Sequence, residues 1–253
     1  MLLKFDETEA ENYKSNSQKI RVMSECWIEE NAYCVQCGTN LNSSKNNKPV
    51  GDFYCSFCKE EFELKSKSGK LNDTIVDGAY STMIEKIEKN DIPNFFYLNY
   101  DCDYLVNNLI VIPKHFFTQE IIEKRKPLAN SARRAGWIGC NINLKSVPQS
   151  GRLFLIKDKQ IIEKQKVITD FNKMLFLRSQ KLELKGWLLD VMSCIDKLNK
   201  TAFSLNEIYY FESLLKLKHP NNNNIKAKIR QQLQILRDNN YIEFKGRGIY
   251  RLK

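Results

Sequence analysis

A pair of cysteine pairs constrains this chain more than any other feature. Cys34-Val-Gln-Cys37 and Cys55-Ser-Phe-Cys58 are C-x2-C motifs with 17 residues between them. Each motif fits a tight knuckle presenting two thiolates. Two knuckles together form the tetrahedral four-cysteine shell of a structural zinc. Four thiolates leave no position for water, so a catalytic zinc is not expected. A dithiol redox motif would explain one pair but not two. Cys26, Cys102, Cys140 and Cys194 have no spacing partner and read as small buried hydrophobes. The N-terminus, MLLKFDETEA, has no signal-peptide pattern. Thiols in a reducing cytoplasm are therefore expected, and disulfides are not. No apolar run approaches the ~20 residues of a membrane span, so no membrane partner is expected.

Charge narrows the partners. The chain of 253 residues carries 40 Lys and Arg against 30 Asp and Glu, a net +10. From Gly186 to Lys253 the count is 12 against 6, and over 186–218 it is 4 against 4, so the excess of that region lies in the last 35 residues. Such concentration is the electrostatic footprint of a nucleic-acid binder. A solvated basic face is the plain alternative. Hydrophobic residues at 42% are enough for a packed core, which excludes global disorder.

The pattern along the chain divides into two units, 1–185 and 186–253. In the first, helices are expected over Glu7–Glu30, Thr74–Asn90 and Val167–Leu177. The 74–90 helix rests on the four-residue spacing of Ile75, Ala79, Met83 and Ile87. Strands are expected at GDFYC, Glu61–Lys65, Asn94–Tyr100, Val106–Ile112, Trp137–Ile142 and Leu153–Ile156, with a polar loop over Asn40–Lys48. This mixture implies an α/β (α+β) domain, a sheet flanked by helices. In the second unit, a helix over Gly186–Leu198 precedes one announced by the Ser204/Glu207 capping box and running through Lys216. A third follows over Ile225–Leu236, and then a hairpin, YIEF-KGRG-IYRL. Three helices closed by a hairpin form a winged helix, whose last helix enters the major groove when the module binds DNA. Lys226, Lys228, Lys245 and Arg247 suit phosphates. Arg230, Gln231 and Gln234 suit base edges, Arg for guanine and Gln for adenine. A protein-binding winged helix is the alternative.

Chemistry is suggested next to the second knuckle. Asp52 lies three residues before Cys55, and Glu63-Leu64-Lys65 follows. In a strand, positions 63 and 65 share a face, and a hairpin from GDFYC to FELK brings Asp52 beside it. Two carboxylates suit a hard divalent cation, Mg2+, with Lys65 positioning or helping to activate a water. This D…ExK spacing is the PD-(D/E)xK nuclease signature. Glu60 and Glu61 compete with Glu63 for the acidic role, and a solvated strand face is the structural alternative.

Longer stretches carry a resemblance: KSNSQK (14–19), DFYC (52–55), EEFELKSK (60–67), DGAY (77–80), PNFF (93–96), RKPLAN (125–130), IRQQLQILRD (229–238) and the run around Trp137, ARRAGWIGCNI. Over nearly its whole length the chain resembles the DpnI-type methyl-directed (type IIM) restriction endonucleases; the N-terminus and 158–166 are mostly unmatched. The resemblance implies a PD-(D/E)xK nuclease domain with an embedded four-cysteine zinc site, followed by a winged helix. It implies cleavage of double-stranded DNA at GATC sites bearing N6-methyladenine, the reaction of a type II site-specific deoxyribonuclease. Asp52, Glu63 and Lys65 match the catalytic positions, with Mg2+ held by Asp52, Glu63 and the Leu64 carbonyl. Cys34, Cys37, Cys55 and Cys58 match the zinc site. Trp137 matches a residue that senses the methylated base, beside Arg133 and Arg134; a core tryptophan is its structural alternative. No obligatory protein partner is implied. The rival class is a non-catalytic zinc and winged-helix DNA-binding regulator.

Overall fold

The computed structural model describes residues 1–44 and 51–253. Part of the expected polar loop over 40–48 therefore lies outside the described residues. Two compact units emerge: 1–144 with 150–174, and 145–149 with 175–253.

The first unit opens with a 3-10 turn, Thr8–Ala10, and helix α1, Asn16–Asn31. One helix over 7–30 is thus not what forms. The Asp6 carboxylate accepts from the Thr8 backbone at 2.9 Å and the Thr8 hydroxyl at 2.6 Å, which holds a separate short turn. Ser15, extended at ψ 130, starts the helix afresh. Strands β1 (Asn42–Ser43), β2 (Phe53–Tyr54) and β3 (Glu61–Ser68) follow. Next come β4 (Thr74–Ala79), α2 (Tyr80–Glu88), β5 (Asn94–Tyr100), β6 (Val106–Ile112) and β7 (Ile122–Lys124). The unit ends with β8 (Gly139–Asn143), β9 (Leu153–Lys157), β10 (Gln160–Ile161) and α3 (Lys164–Lys173).

Seven strands form the main sheet in the order β1-β2-β3-β5-β6-β9-β10. The β3–β5 pair is parallel and the other pairs are antiparallel. Strand β5 is buried along its whole length, as a central strand covered on both faces must be. Its two asparagines are satisfied there. Asn94 donates to Glu60 at 2.8 Å and accepts from the Lys114 backbone at 3.0 Å, while Asn99 donates to the Gly69 carbonyl at 2.7 Å. A second sheet, β4-β8-β7, is fully antiparallel.

Residues 74–79 are a strand, correcting the helix expected over 74–90, which begins only at Tyr80. A spacing of four is an even number, so Ile75 and Ala79 share a face in a strand as well as in a helix. The β-branched run Thr74-Ile75-Val76 decides for the strand.

In the second unit α4 spans Leu182–Leu198, so the expected boundary at 185/186 falls inside that helix. Then come β11 (Ala202–Ser204), α5 (Leu205–Tyr209), α6 (Glu212–Lys218), α7 (Ile225–Asp238), β12 (Ile242–Gly246) and β13 (Ile249–Leu252). The three strands pair in the order β11-β13-β12. The capping box forms: Ser204 accepts from the Glu207 backbone at 3.2 Å, and Glu207 accepts from the Ser204 backbone at 2.7 Å. Lys200 beside it, together with these bonds, holds the Glu207 carboxyl down to about 2. The helix it starts is interrupted at Tyr210 and Phe211, so two short helices replace the single one expected over 205–216.

Gly51 lets β2 reach β3. A Cβ at this position would lie 2.7 Å from the Phe62 carbonyl oxygen, a backbone atom that cannot move aside. Gly51→Ala should therefore destabilise the protein by about 1–3 kcal/mol through overpacking. Urea unfolding of both forms checks this, and equal midpoints and slopes would contradict the close approach.

Candidate metal and DNA-cleavage site

The two knuckles are built alike. In the first, the Cys34 N–H donates to the Thr39 carbonyl at 2.8 Å and the Gly38 N–H to the Cys34 carbonyl at 2.7 Å. In the second, the Cys55 N–H donates to the Glu60 carbonyl at 2.8 Å and the Lys59 N–H to the Cys55 carbonyl at 3.0 Å. The residue after each second cysteine has positive φ, 78° at Gly38 and 62° at Lys59. Gly38 also abuts α3, where a Cβ would meet Ile168 and Lys164 at 3.0 Å.

Together the knuckles bring four sulfurs within 4.8 Å of one another, the one convergence of three or more His, Cys, Asp or Glu donors among the described residues. Cys34 and Cys58 sulfurs are 3.3 Å apart, and those of Cys37 and Cys55 are 3.5 Å apart. These separations exceed a disulfide bond and approach the roughly 3.8 Å edge of a tetrahedron with 2.3 Å zinc–sulfur bonds. Burial pushes the Cys34 thiol up, and Cys58 up to about 11. Four ionised sulfurs this close require a cation, and the all-sulfur donor set suits zinc.

The second knuckle leads into the β2–β3 hairpin. Phe53 pairs with Phe62 and Tyr54 with Glu61, and Asp52 lies just before the paired residues of β2. Asp52 accepts a 2.7 Å hydrogen bond from the Leu64 N–H at the edge of β3 that β2 has ceased to cover. A strand residue's N–H and C=O point to the same side, so the Leu64 carbonyl also faces this open edge.

On the neighbouring face, Lys65 Nζ lies 2.6 Å from Glu63 and 2.5 Å from Asp77. Burial opposes the Lys65 charge, but the two carboxylates outweigh it and raise the ammonium's pKa. Glu63 and Asp77 line a cavity of about 110 Å³ with Thr82, Lys86, Ile92 and Phe95. The competing Glu60 is occupied elsewhere: it is buried and holds Asn94 and Lys114. The sequence reading does not single out Asp77. The available signal is a carboxylate on the same strand face as buried Ile75.

Trp137 is partly buried at the end of an exposed loop. The end of β7 and this loop, 123–137, carry Lys124, Arg125, Lys126, Arg133 and Arg134 against a single Glu123. The Arg134 guanidinium lies 4.8 Å from the Trp137 ring centre, while Arg133 is exposed. Glu63 and Lys65 belong to the main sheet, whereas Trp137 lies on the approach to β8 of the second sheet.

In the second unit, Arg230, Gln231 and Gln234 are exposed on α7, opposite buried Ile229, Leu233 and Leu236. Arg230 donates to the Tyr209 hydroxyl at 2.7 Å, and Lys226 lies over the same ring. Lys228 turns from this face and packs over Trp187 at 5.8 Å. Lys245 pairs with Glu243 at 2.9 Å, and Arg247 stands at the hairpin tip. The positive φ of Arg247 and Gly248 between paired Gly246 and Ile249 matches a type I′ turn.

An α/β unit carrying a four-cysteine cluster, followed by a basic helix-turn-helix module with a wing, defines a protein that acts on DNA. The first 180 residues match the DpnI model, described as the Dam-replacing family, and residues 183–252 match DpnI_C, the Dam-replacing HTH domain. The chain belongs to this family of DpnI-type methyl-directed restriction enzymes. It is an enzyme acting on DNA with a helix-turn-helix domain that binds DNA. No described helix is long and apolar enough to cross a membrane.

Purified protein should contain about one zinc per chain. Stripping it should unfold the knuckles and the hairpin after them, because metal binding and local folding are one equilibrium. Atomic absorption and amide exchange check this, and a folded chain with well under one zinc would contradict it.

Proposed function

We propose that the chain hydrolyses phosphodiesters of double-stranded DNA at GATC sites carrying N6-methyladenine, as a PD-(D/E)xK nuclease with a winged-helix reader. What supports this reading is that Asp52 accepts from the Leu64 N–H of β3, and that the two residues flanking Leu64, Glu63 and Lys65, contact each other. Hard oxygen donors on one open edge suit Mg2+, with Asp52, Glu63 and the Leu64 carbonyl as its ligands. When bound, Mg2+ supplies stabilisation of the charge that develops on the phosphate. Asp52 and Glu63 contribute fixed negative charge, and Lys65 contributes N–H donors that orient a water and the phosphate. The fixed hairpin supplies geometry before substrate arrives, which is where much of the rate of such reactions originates.

Methyl reading needs more than one contact. Burying a methyl group is worth about 0.8 kcal/mol, roughly fourfold, and two on a palindrome only about 1.6 kcal/mol. Strong discrimination therefore calls for reading by both parts of the chain, or for polar groups that unmethylated adenine leaves poorly satisfied. In this reading Trp137 is the apolar wall, with Arg133 and Arg134 on the backbone. Arg230, Gln231 and Gln234 are the base-edge contacts of α7. Lys226, Lys228, Lys245 and Arg247 supply phosphate contacts. The reducing chemistry that preserves four thiolates fits a cytoplasmic enzyme.

Matched plasmids with and without adenine methylation test the activity. Only the methylated one should be cut, and only with Mg2+; Glu63→Ala should abolish cutting while retaining binding. Uncut methylated plasmid, or equal cutting of both, overturns the reading.

The wing is tested separately. Replacing Lys245 and Arg247 by alanine should reduce the slope of log affinity against log salt by about two units, one per phosphate. Anisotropy titrations of a duplex at several salt concentrations measure it, and an unchanged slope would remove both residues from the contact.

A further inference from the structure

Asp77 has no role in the chemistry described so far, yet its side chain is only 6% exposed and lies 2.5 Å from Lys65. It is carried by the second sheet, on β4 opposite Cys140 of β8, whereas Lys65 belongs to the main sheet. A register irregularity between Asp77 and Ala79 accompanies the pairing. Bulges of this kind re-aim side chains and recur near active sites. Along β4, Asp77 takes the inward face shared with buried Ile75, a position where the strand pattern calls for an apolar residue. A carboxylate there costs stability unless it is paired, and Lys65 is its cationic partner.

We propose that Asp77 is the positioning residue for Lys65, a second carboxylate anchoring its ammonium alongside Glu63; this rests on the nuclease reading of Glu63 and Lys65. An ammonium held by one carboxylate collapses onto it. Here the Nζ is shared between Glu63 at 2.6 Å and Asp77 at 2.5 Å, which fixes it in two directions. The second anchor draws positive charge away from Glu63 and leaves that carboxylate available to other partners at the same edge. Asp77 acts through Lys65 and is not itself assigned contact with the reacting atoms.

Asp77→Asn keeps the size and removes the charge. Two measurements on the full chain test the idea. The first is the rate at which Lys65 is acetylated in protein free of divalent cations, read by peptide mass spectrometry. The second is steady-state cutting of methylated duplex with Mg2+. Lys65 should label several-fold faster in Asp77→Asn. Its kcat should fall by about 10²-fold with KM for DNA nearly unchanged, the cost of a misplaced group. Melting should stay near wild type. Asp77→Ser, smaller and also neutral, is the second variant and is held to the same outcomes. Wild-type labelling of Lys65, or a loss of activity that only follows the folded fraction, overturns the proposal. A wild-type chain that does not cut overturns the nuclease reading instead, and the labelling comparison then still decides whether Asp77 holds Lys65.

Discussion

Four sulfur atoms within 4.8 Å of one another are the constraint on which the rest of this molecule turns. As thiolates they would repel one another, and a cation at their centre would offset that repulsion. Such a cation would join residues 34–37 to residues 55–58, and the second knuckle runs directly into the strand bearing Glu63 and Lys65. Short-range packing then completes the geometry. Phe62 stacks on Phe96 with ring centres 4.9 Å apart, and β3 lies in parallel register along all seven residues of β5. The four-cysteine cluster is thus followed in the chain by the strand that carries Glu63 and Lys65.

Local relations are legible in the sequence, and distant ones are not. The cysteine spacing, the capping box at Ser204 and the hairpin after Asn240 each involve neighbours in the chain. The same holds for Asp52, which the β2–β3 hairpin brings to the Leu64 N–H between Glu63 and Lys65. Asp77 is not legible, because its meaning depends on β4 pairing with β8, more than sixty residues later. The four-residue spacing around it suits a helix and a strand equally. Burial also separates residues that composition treats alike: Glu60 is locked to Asn94 and Lys114, while Glu63 stands beside Lys65. The match of the DpnI and DpnI_C models to residues 1–180 and 183–252 agrees with the family resemblance carried by the longer motifs.

Positive charge in this chain is distributed with some selectivity. On α7, Arg230 and Lys226 are organised around Tyr209, whereas Lys228 rests on Trp187 and contributes to packing as much as to field. In the first unit, the loop over 123–137 concentrates basic residues around a tryptophan that one of them covers. Each unit therefore presents cations next to an aromatic ring, an arrangement suited to a partner with a charged backbone and flat, apolar interiors.

The ion pair between Lys65 and Asp77 joins two sheets that are separate in hydrogen bonding. Neither sheet alone holds the complete charged group. A chain that has formed the β2–β3 hairpin but not yet docked β4 has its acidic residues and lysine in place without the final anchor. In the proposed reading, hydrolytic competence would arrive only with the tertiary contact between the two sheets, so a half-formed or fraying copy of the chain would be poorly equipped to damage the DNA around it.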